Sequence, residues 1–273
     1  MNNNAWFKKE KPLLSLQSMG GGASGSLMQG AATKTYVDEV FSTYVWTGSG
    51  SSTTISNGLD LSGEGGMTWI KNRTNSNKDH VITDTARGAG NAIFSNSSSS
   101  NNPDANKLAS FTSTGFGIGT DSYVNGGSDK MSSWSFRKAK GFFTCLTYVG
   151  DGVDGRSISH SLGCIPGMWM VKRTDGTDNW TVGHSRTLGG TGDDYKWHMH
   201  LNTNDAKDAN GEFTYNSPPT ATTLSLGASN KVNGNGNSYV CYLFAGGEST
   251  ACLLYTSDAA DEGLGVDLGG RRI

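Results

Sequence analysis

The chain has 273 residues, 22 basic and 24 acidic, and a formal net charge of −2. This balance excludes a polybasic nucleic-acid surface or an acidic mimic, and no apolar run approaches the roughly 20 residues of a membrane span. With 39 glycines, much serine, threonine and asparagine, and still seven tryptophans, the composition suits short strands and turns on aromatic cores rather than long amphipathic helices.

Residues 1–39 differ in character from the remainder of the chain. Trp6 and Phe7 precede the basic patch Lys8, Lys9 and Lys11, and MGGGASGS at 19–26 is a flexible stretch. The segment reads either as a disordered leader or as a virion-attachment arm that orders on docking. Met1 is followed by three asparagines rather than by an apolar export segment. A turn or two around residues 31–41 is the one helical candidate.

From Val40 onward the chain repeats itself. FSTYVWTGSG (41–50) aligns with FTCLTYVGDG (143–152), ISNGL (55–59) with ISHSL (158–162), and MTWIKNR (67–73) with GMWMVKR (167–173). TSTGFGIGTDSYVNG (112–126) aligns without gaps on TATTLSLGASNKVNG (220–234), and the register continues to WSF (134–136) against YLF (242–244). Conserved order over two long stretches predicts tandem, diverged copies of one domain at 40–140 and 141–251. Strands are expected at 41–47, 53–56, 67–72, 79–84, 91–95, 109–118 and 132–137, then at 143–149, 156–159, 167–173, 179–184, 195–201, 222–226 and 238–244. Phe116 should match Leu224, Ile118 Leu226, Trp134 Tyr242 and Phe136 Phe244, all facing a core. Alternation puts Trp134 and Phe136 on one strand face, with Ser133 and Ser135 on the other. The Val-Asn-Gly at 124–126 and 232–234 reads as a tight turn whose Asn and Gly adopt positive φ. The expected fold class is all-β, two β-sandwich or jelly-roll-like copies after a flexible arm. Composition leaves open whether each copy closes its own sandwich or the two share one.

Residues 252–273 stand apart. Back-translated, CLLYTSDAADE (252–262) and VDLGGRRI (266–273) resemble the two parts of a sequencing-library adapter, in order and in frame. The stretch is read as an artefact with no domain of its own. Without its four acids and two arginines the counts fall from 24 and 22 to 20 each, a net charge of zero. Cys252 goes with it. Cys145, Cys164 and Cys241 remain, an odd, widely spaced set that makes neither a disulfide framework nor a zinc site and is read as free thiols of a cytoplasmically made protein.

The motifs ISHSLGCIPGMWMVKR (158–173), DNW (178–180), VNG (232–234) and YVCYLFA (239–245) resemble a domain of tail-fibre-like and other virion proteins of marine phages. The first copy departs from it, with NGLDLSGEGG (57–66) where the second has HSLGCIPG (160–167). The resemblance implies a virion architecture, other phage structural proteins as partners and a possible homo-oligomer. It supplies no functional residues.

Chemistry is sparse. His198 and His200 share a strand face and could share a metal, but no third ligand is spaced nearby, so a polar strand face is the plainer reading. DGVDG (151–155) has the look of a calcium-loop fragment without the ligand spacing, and reads as a turn. Asp193, Asp194, Asp205 and Asp208 read as solvated loop acids. Cys164 and His160, four residues apart, make no dyad, and no serine elbow or phosphate loop is present. No cofactor, nucleic acid, membrane insertion or enzymatic activity is expected. Trp180, Tyr195, Trp197, Asn202 and Asn204 cluster as candidate contacts to a host-surface glycan, set against the ordinary expectation that large aromatics of a sandwich are core. The leading expectation is a non-catalytic fibre, tail-appendage or decoration subunit, and the alternative is a lectin-like receptor-binding module on the same particle.

Overall fold

In the computed structural model the described residues are 35–185, 197–208, 215, 217–246 and 254–255. In chain order the elements are β1 (Thr35–Tyr36), α1 (Val37–Val40), β2 (Phe41–Thr47), β3 (Thr53–Ser56), β4 (Gly66–Asn72), β5 (Val81–Asp84), β6 (Asn91–Phe94), β7 (Asn102–Pro103), β8 (Leu108–Thr112), β9 (Gly115–Ile118), α2 (Ser122–Asn125) and β10 (Lys130–Arg137). The second half continues with β11 (Phe143–Val149), β12 (Arg156–Ser159), β13 (Pro166–Arg173), β14 (Thr181–His184), β15 (Met199–His200), β16 (Thr223–Leu226), β17 (Ser238–Ala245) and β18 (Leu254–Tyr255). The fold is all-β. The expected arm is shorter than 1–39, because β1 and α1 already pack on the body through Val40, which is fully buried. The single strand expected at 109–118 is a hairpin, β8 and β9. At its corner a Cβ on Gly115 would meet the Ile55 carbonyl oxygen at 2.0 Å.

Two large antiparallel sheets carry the architecture, ordered β2-β10-β4-β5-β6-β7 and β11-β17-β13-β14-β15. Two small sheets, β3-β9-β8 and β12-β16, accompany them. Apart from β7 and β8, which have no counterpart among the described residues, the strands of the two halves follow the same order, with matching cross-strand pairs. Trp134 stands opposite Thr43 and Trp69, and Tyr242 opposite Cys145 and Met170. Phe116 faces Ile55 across its pair and Leu224 faces Ile158.

In β4 and β13 the sequence alignment slips by one. Register pairs Met67 with Phe136 and Met168 with Phe244, so Trp69 corresponds to Met170 and Thr68 to Trp169. A one-residue slip reverses faces. The two tryptophans that guided the alignment therefore point to opposite sides of their sheets. Across the neighbouring strand Thr68 pairs with Thr83, whereas Trp169 pairs with Gly183. A Cβ on Gly183 would lie 2.2 Å from the Trp169 ring, so two medium side chains in one half become one large and one absent in the other.

Three cores separate four sheet layers. Ile55, Leu59, Ile70, Phe116 and Ile118 fill the first half between its small and large sheets. Ile158, Trp169, Val171, Leu224 and Leu226 do so in the second. A third core joins the halves, with Met67, Ile82 and Ile93 from the first large sheet against Phe143, Met170, Trp180, Val182, Val240 and Tyr242 from the second. Each half thus closes its own sandwich and the two large sheets form another, within one compact unit. Phe136 belongs to this shared core rather than to its own sandwich, and Trp134 sits beyond its margin, 36% exposed. Ser133 and Ser135, expected to face outward, are buried inside the first sandwich, where Ser135 accepts a hydrogen bond from the Asn57 amide at 2.9 Å. The alternation reads correctly, but the serine face is covered, and the other face is covered at Phe136 and open at Trp134.

The shared core holds a buried polar joint. The Tyr242 hydroxyl donates to Asp84 at 2.6 Å, and Arg87 Nε donates to the same carboxylate oxygen at 2.6 Å. Arg87 also reaches the Asn101 side-chain oxygen at 3.1 Å and the Ile82 carbonyl at 3.2 Å. Asp84 is fully buried, so its charge is compensated where water cannot reach it.

Asn125 and Asn233 correct the reading of Val-Asn-Gly. Neither they nor the glycines after them adopt positive φ. Both asparagines are fully buried and clamp the loop after the first strand of their half. Asn125 accepts from the Ser49 amide at 2.9 Å and donates to the carbonyls of Ser51 and Gly119 at 2.7 and 2.8 Å. Asn233 accepts from the Asp151 amide at 3.1 Å and donates to Asp151 Oδ1 and the Val153 carbonyl, both at 3.0 Å. Glycine is needed at the clamped loop itself, because a Cβ on Gly48 would meet the Gly126 oxygen at 2.0 Å, and one on Gly150 the Gly234 oxygen at 2.1 Å.

Two outcomes are expected. Asn125→Ala and Asn233→Ala each orphan buried backbone groups and should cost about 2–4 kcal/mol in denaturant unfolding; a loss below about 1 kcal/mol would show the clamp to be incidental. Removing residues 252–273 takes away a two-residue pairing of β18 with β1, so thermal melts of the full and shortened chains should nearly coincide.

Candidate functional site

The glycan candidates are placed apart from one another. Trp180 is fully buried in the shared core, its Nε1 donating to the Phe94 carbonyl at 2.8 Å. It can touch no ligand, and the reading of it as core is the correct one. Both ends of the Asn202 amide are engaged, accepting from Trp180 N at 2.9 Å and donating to Asn179 Oδ1 at 2.8 Å. Trp197 is half-buried, with Lys207 Nζ 4.3 Å from its ring centre. Asn204 is exposed. Tyr195 lies outside the described residues, as do Asp193, Asp194 and the arm residues Trp6, Phe7, Lys8, Lys9 and Lys11.

His198 and His200 do share a side, with ring centres 5.4 Å apart. His200 Nδ1 is 3.0 Å from the Trp180 carbonyl, and His198 is buried beside Asp208. Asp208 is more than a solvated acid, since its backbone exchanges two hydrogen bonds with that of His198. Among the described residues no three His, Cys, Asp or Glu side chains group as metal ligands. The DGVDG segment is a turn closed on itself, where Asp151 accepts from the Val153 amide at 2.9 Å and pairs with Arg156 at 3.4 Å. The three thiols are buried; burial, helped by the nearby Asp84, pushes Cys145 up to about 12, far from a reactive thiolate.

The open feature lies elsewhere, on the face of the first large sheet that the second half leaves uncovered. A groove of about 350 Å³ is lined by Thr43, Val45, Lys71, Arg73, Ser132 and Trp134, among others. Cross-strand register puts Trp134 beside Trp69 and Ser132 beside Lys71, with Val45 opposite Ser132 on the outer strand. The Trp134 and Trp69 rings meet edge to face at 6.4 Å, and Trp69 meets His80 likewise at 6.3 Å. Lys71 Nζ donates to the Lys78 carbonyl, and the exposed Arg73 side chain makes no ion pair with any described residue. Val45 is 64% exposed. The groove therefore offers an aromatic wall, a hydroxyl floor and two cations without carboxylates. Sequence reading missed it because it assigned Trp134 to a core.

Burial holds His198 neutral, down to about 4, with Lys231 adding to the effect. An unfolded histidine titrates near 6.5, so between about 6.5 and 4 the unfolded chain binds the extra proton. Stability is then full above about 6.5 and falls as pH drops through that window, by up to about 2–3 kcal/mol. His198→Gln should flatten this part of the pH–stability curve, and an unchanged slope would remove His198 as its source.

No curated protein and no solved structure matches the chain. One family does, over residues 37–251. The match runs through both halves and ends where the adapter-like stretch begins. By that match the chain belongs to the family described as Domain of unknown function (DUF7483).

Proposed function

We propose that the protein is a non-catalytic structural subunit of a bacteriophage particle, a fibre, tail appendage or decoration subunit. The observation that carries this reading is how its polar groups are used. Asp84, Arg87, Tyr242, Lys172, Asn125 and Asn233 are buried, and all of them hold one part of the body to another. Lys172 shows the pattern well. It is fully buried, its ammonium donates to the carbonyls of Ser98 and Arg173 at 3.2 and 2.7 Å, and burial pulls its pKa down to about 8. Four sheet layers joined in this way suit a rigid module more than a site that must open, close and turn over. The likeness of residues 158–173 and 239–245 to virion-protein motifs supports the same reading. A lectin-like role is the less favoured alternative, since Trp180 and Asn202 are withdrawn from any ligand.

The test uses the gene carried by a phage. The protein should be present on purified particles, and deletion of residues 1–30 should lower its incorporation. Absence of the intact protein from particles would reject the particle reading. Undiminished incorporation of the deleted form would reject the arm as anchor. Release of reducing sugars from host polysaccharide by the purified protein would reject the non-catalytic reading.

A further inference from the structure

The groove at Trp134 has a counterpart in the second half, and that counterpart is filled. By cross-strand register Trp134 corresponds to Tyr242, Trp69 to Met170, Lys71 to Lys172, His80 to Trp180 and Ser132 to Val240. All five second-half residues are at most 2% exposed. Met67, Ile82 and Ile93 of the first large sheet cover them, and Asp84 and the segment 94–101 bond to them at the edge of that contact. The Phe94 carbonyl accepts from Trp180 Nε1 at 2.8 Å. The Ser98 carbonyl accepts from Lys172 Nζ at 3.2 Å and from Asp178 N at 2.9 Å, and Asn101 N donates to the Thr174 carbonyl at 2.8 Å.

That covering segment also has a counterpart. Asn96 accepts from His80 N at 2.9 Å and donates to Asp79 at 2.7 Å. Asn202 makes the same two bonds, to Trp180 N and to Asn179. Phe94 pairs with Val81 as His200 pairs with Thr181. Residues 200–207 therefore stand to the second half as 94–101 stand to the first, and 203–207 are exposed. The molecule holds one filled joint, one open groove of the same build and one uncovered loop of the same build.

We propose that a second copy of this chain seats its 200–207 loop in the groove at Trp134, so that the protein associates head to tail. The contact would repeat between molecules the loop part of the joint that already exists within one; its Met67 and Ile82 part is not repeated, because the counterparts Met168 and Val182 already lie in the shared core. Charge favours this occupant. The groove carries Lys71 and Arg73 without a carboxylate partner among the described residues, and the loop brings Asp205. Lys207 on the same loop is held over its own Trp197 ring. The N-terminal arm, with Lys8, Lys9 and Lys11, would meet like charge there. The two surfaces differ, so the contact is heterologous, and repetition leads to a ring or an open filament rather than to a two-fold dimer. The contact rests on strand register and hydrogen bonds, independent of the phage reading.

Sedimentation velocity of the full chain over a concentration series tests it. The expected result is a concentration-dependent series extending beyond the dimer. Arg73→Glu and Asp205→Arg, both at exposed positions, should each weaken association by about tenfold or more while melting like the parent. An equimolar mixture of the two variants should recover association, because Arg73→Glu grooves then find Asp205→Arg loops of opposite charge. A parent chain that stays monomeric throughout would overturn the proposal. So would association indifferent to Asp205→Arg, or association that Arg73→Glu leaves intact and removal of residues 1–34 abolishes, which would make the arm the occupant. Any of these results leaves the particle reading to its own test.

Discussion

The rest of the structure depends on the burial of a second face on both large sheets. A sandwich covers one face of each sheet and leaves the other to water, and alternation in the sequence normally records that division. Here Met67, Ile82 and Ile93 meet Met170, Val182 and Tyr242 across a third core, so central strands contribute buried side chains on both sides. β17 is the clearest case. Tyr239, Cys241 and Leu243 enter the second sandwich, while Val240, Tyr242 and Phe244 enter the shared core. Each fully buried side chain of this size contributes about 1.5–3 kcal/mol, and the same strand draws that contribution from two cores.

A face-to-face joint of this kind has a cost in specificity, because apolar sheets can slide. The polar contacts fix the position. Asp84 and Arg87 of the first half meet Tyr242 of the second, and the Phe94 and Ser98 carbonyls meet Trp180 and Lys172. Buried polar groups lose more when unpaired than they gain when paired. A shift of register along the joint would part the Tyr242 hydroxyl from Asp84 and Arg87, and the Lys172 ammonium from the Ser98 carbonyl. The joint is also asymmetric, since the first half contributes the end of its sheet and the loop after it, and the second contributes its sheet face. This asymmetry is what leaves Trp134 and its neighbours uncovered.

The candidate site was the least legible part. Trp180, Trp197, Asn202 and Asn204 lie close in sequence, but a strand reverses direction between Trp180 and Asn202, and the third core takes the tryptophan. Trp134 was misassigned for the converse reason. Its alternation with Ser133 and Ser135 is real, but alternation says only that the two faces differ, not which is covered. Asn125 and Asn233 were recognised as special by their repetition, and the physical reason was misjudged: the side chain, rather than the backbone angle, is what the fold requires.

Local pattern determined the strands and their order. β2, β3, β11 and β12 begin and end where glycine, serine and apolar alternation place them, because those preferences act over a few residues and need no partner to be read. The sequence alignment of Ile55 with Ile158, Phe116 with Leu224 and Phe136 with Phe244 agrees with their places in the strand pairs. Tertiary structure alone decided which face of each sheet is covered, that Trp69 and Trp169 point opposite ways, and that Asp84 finds Tyr242 from 158 positions away. Those outcomes depend on how two finished sheets meet. Sheet-on-sheet packing is set by side chains far apart in the chain, and a period of two looks the same whichever side the neighbour arrives from.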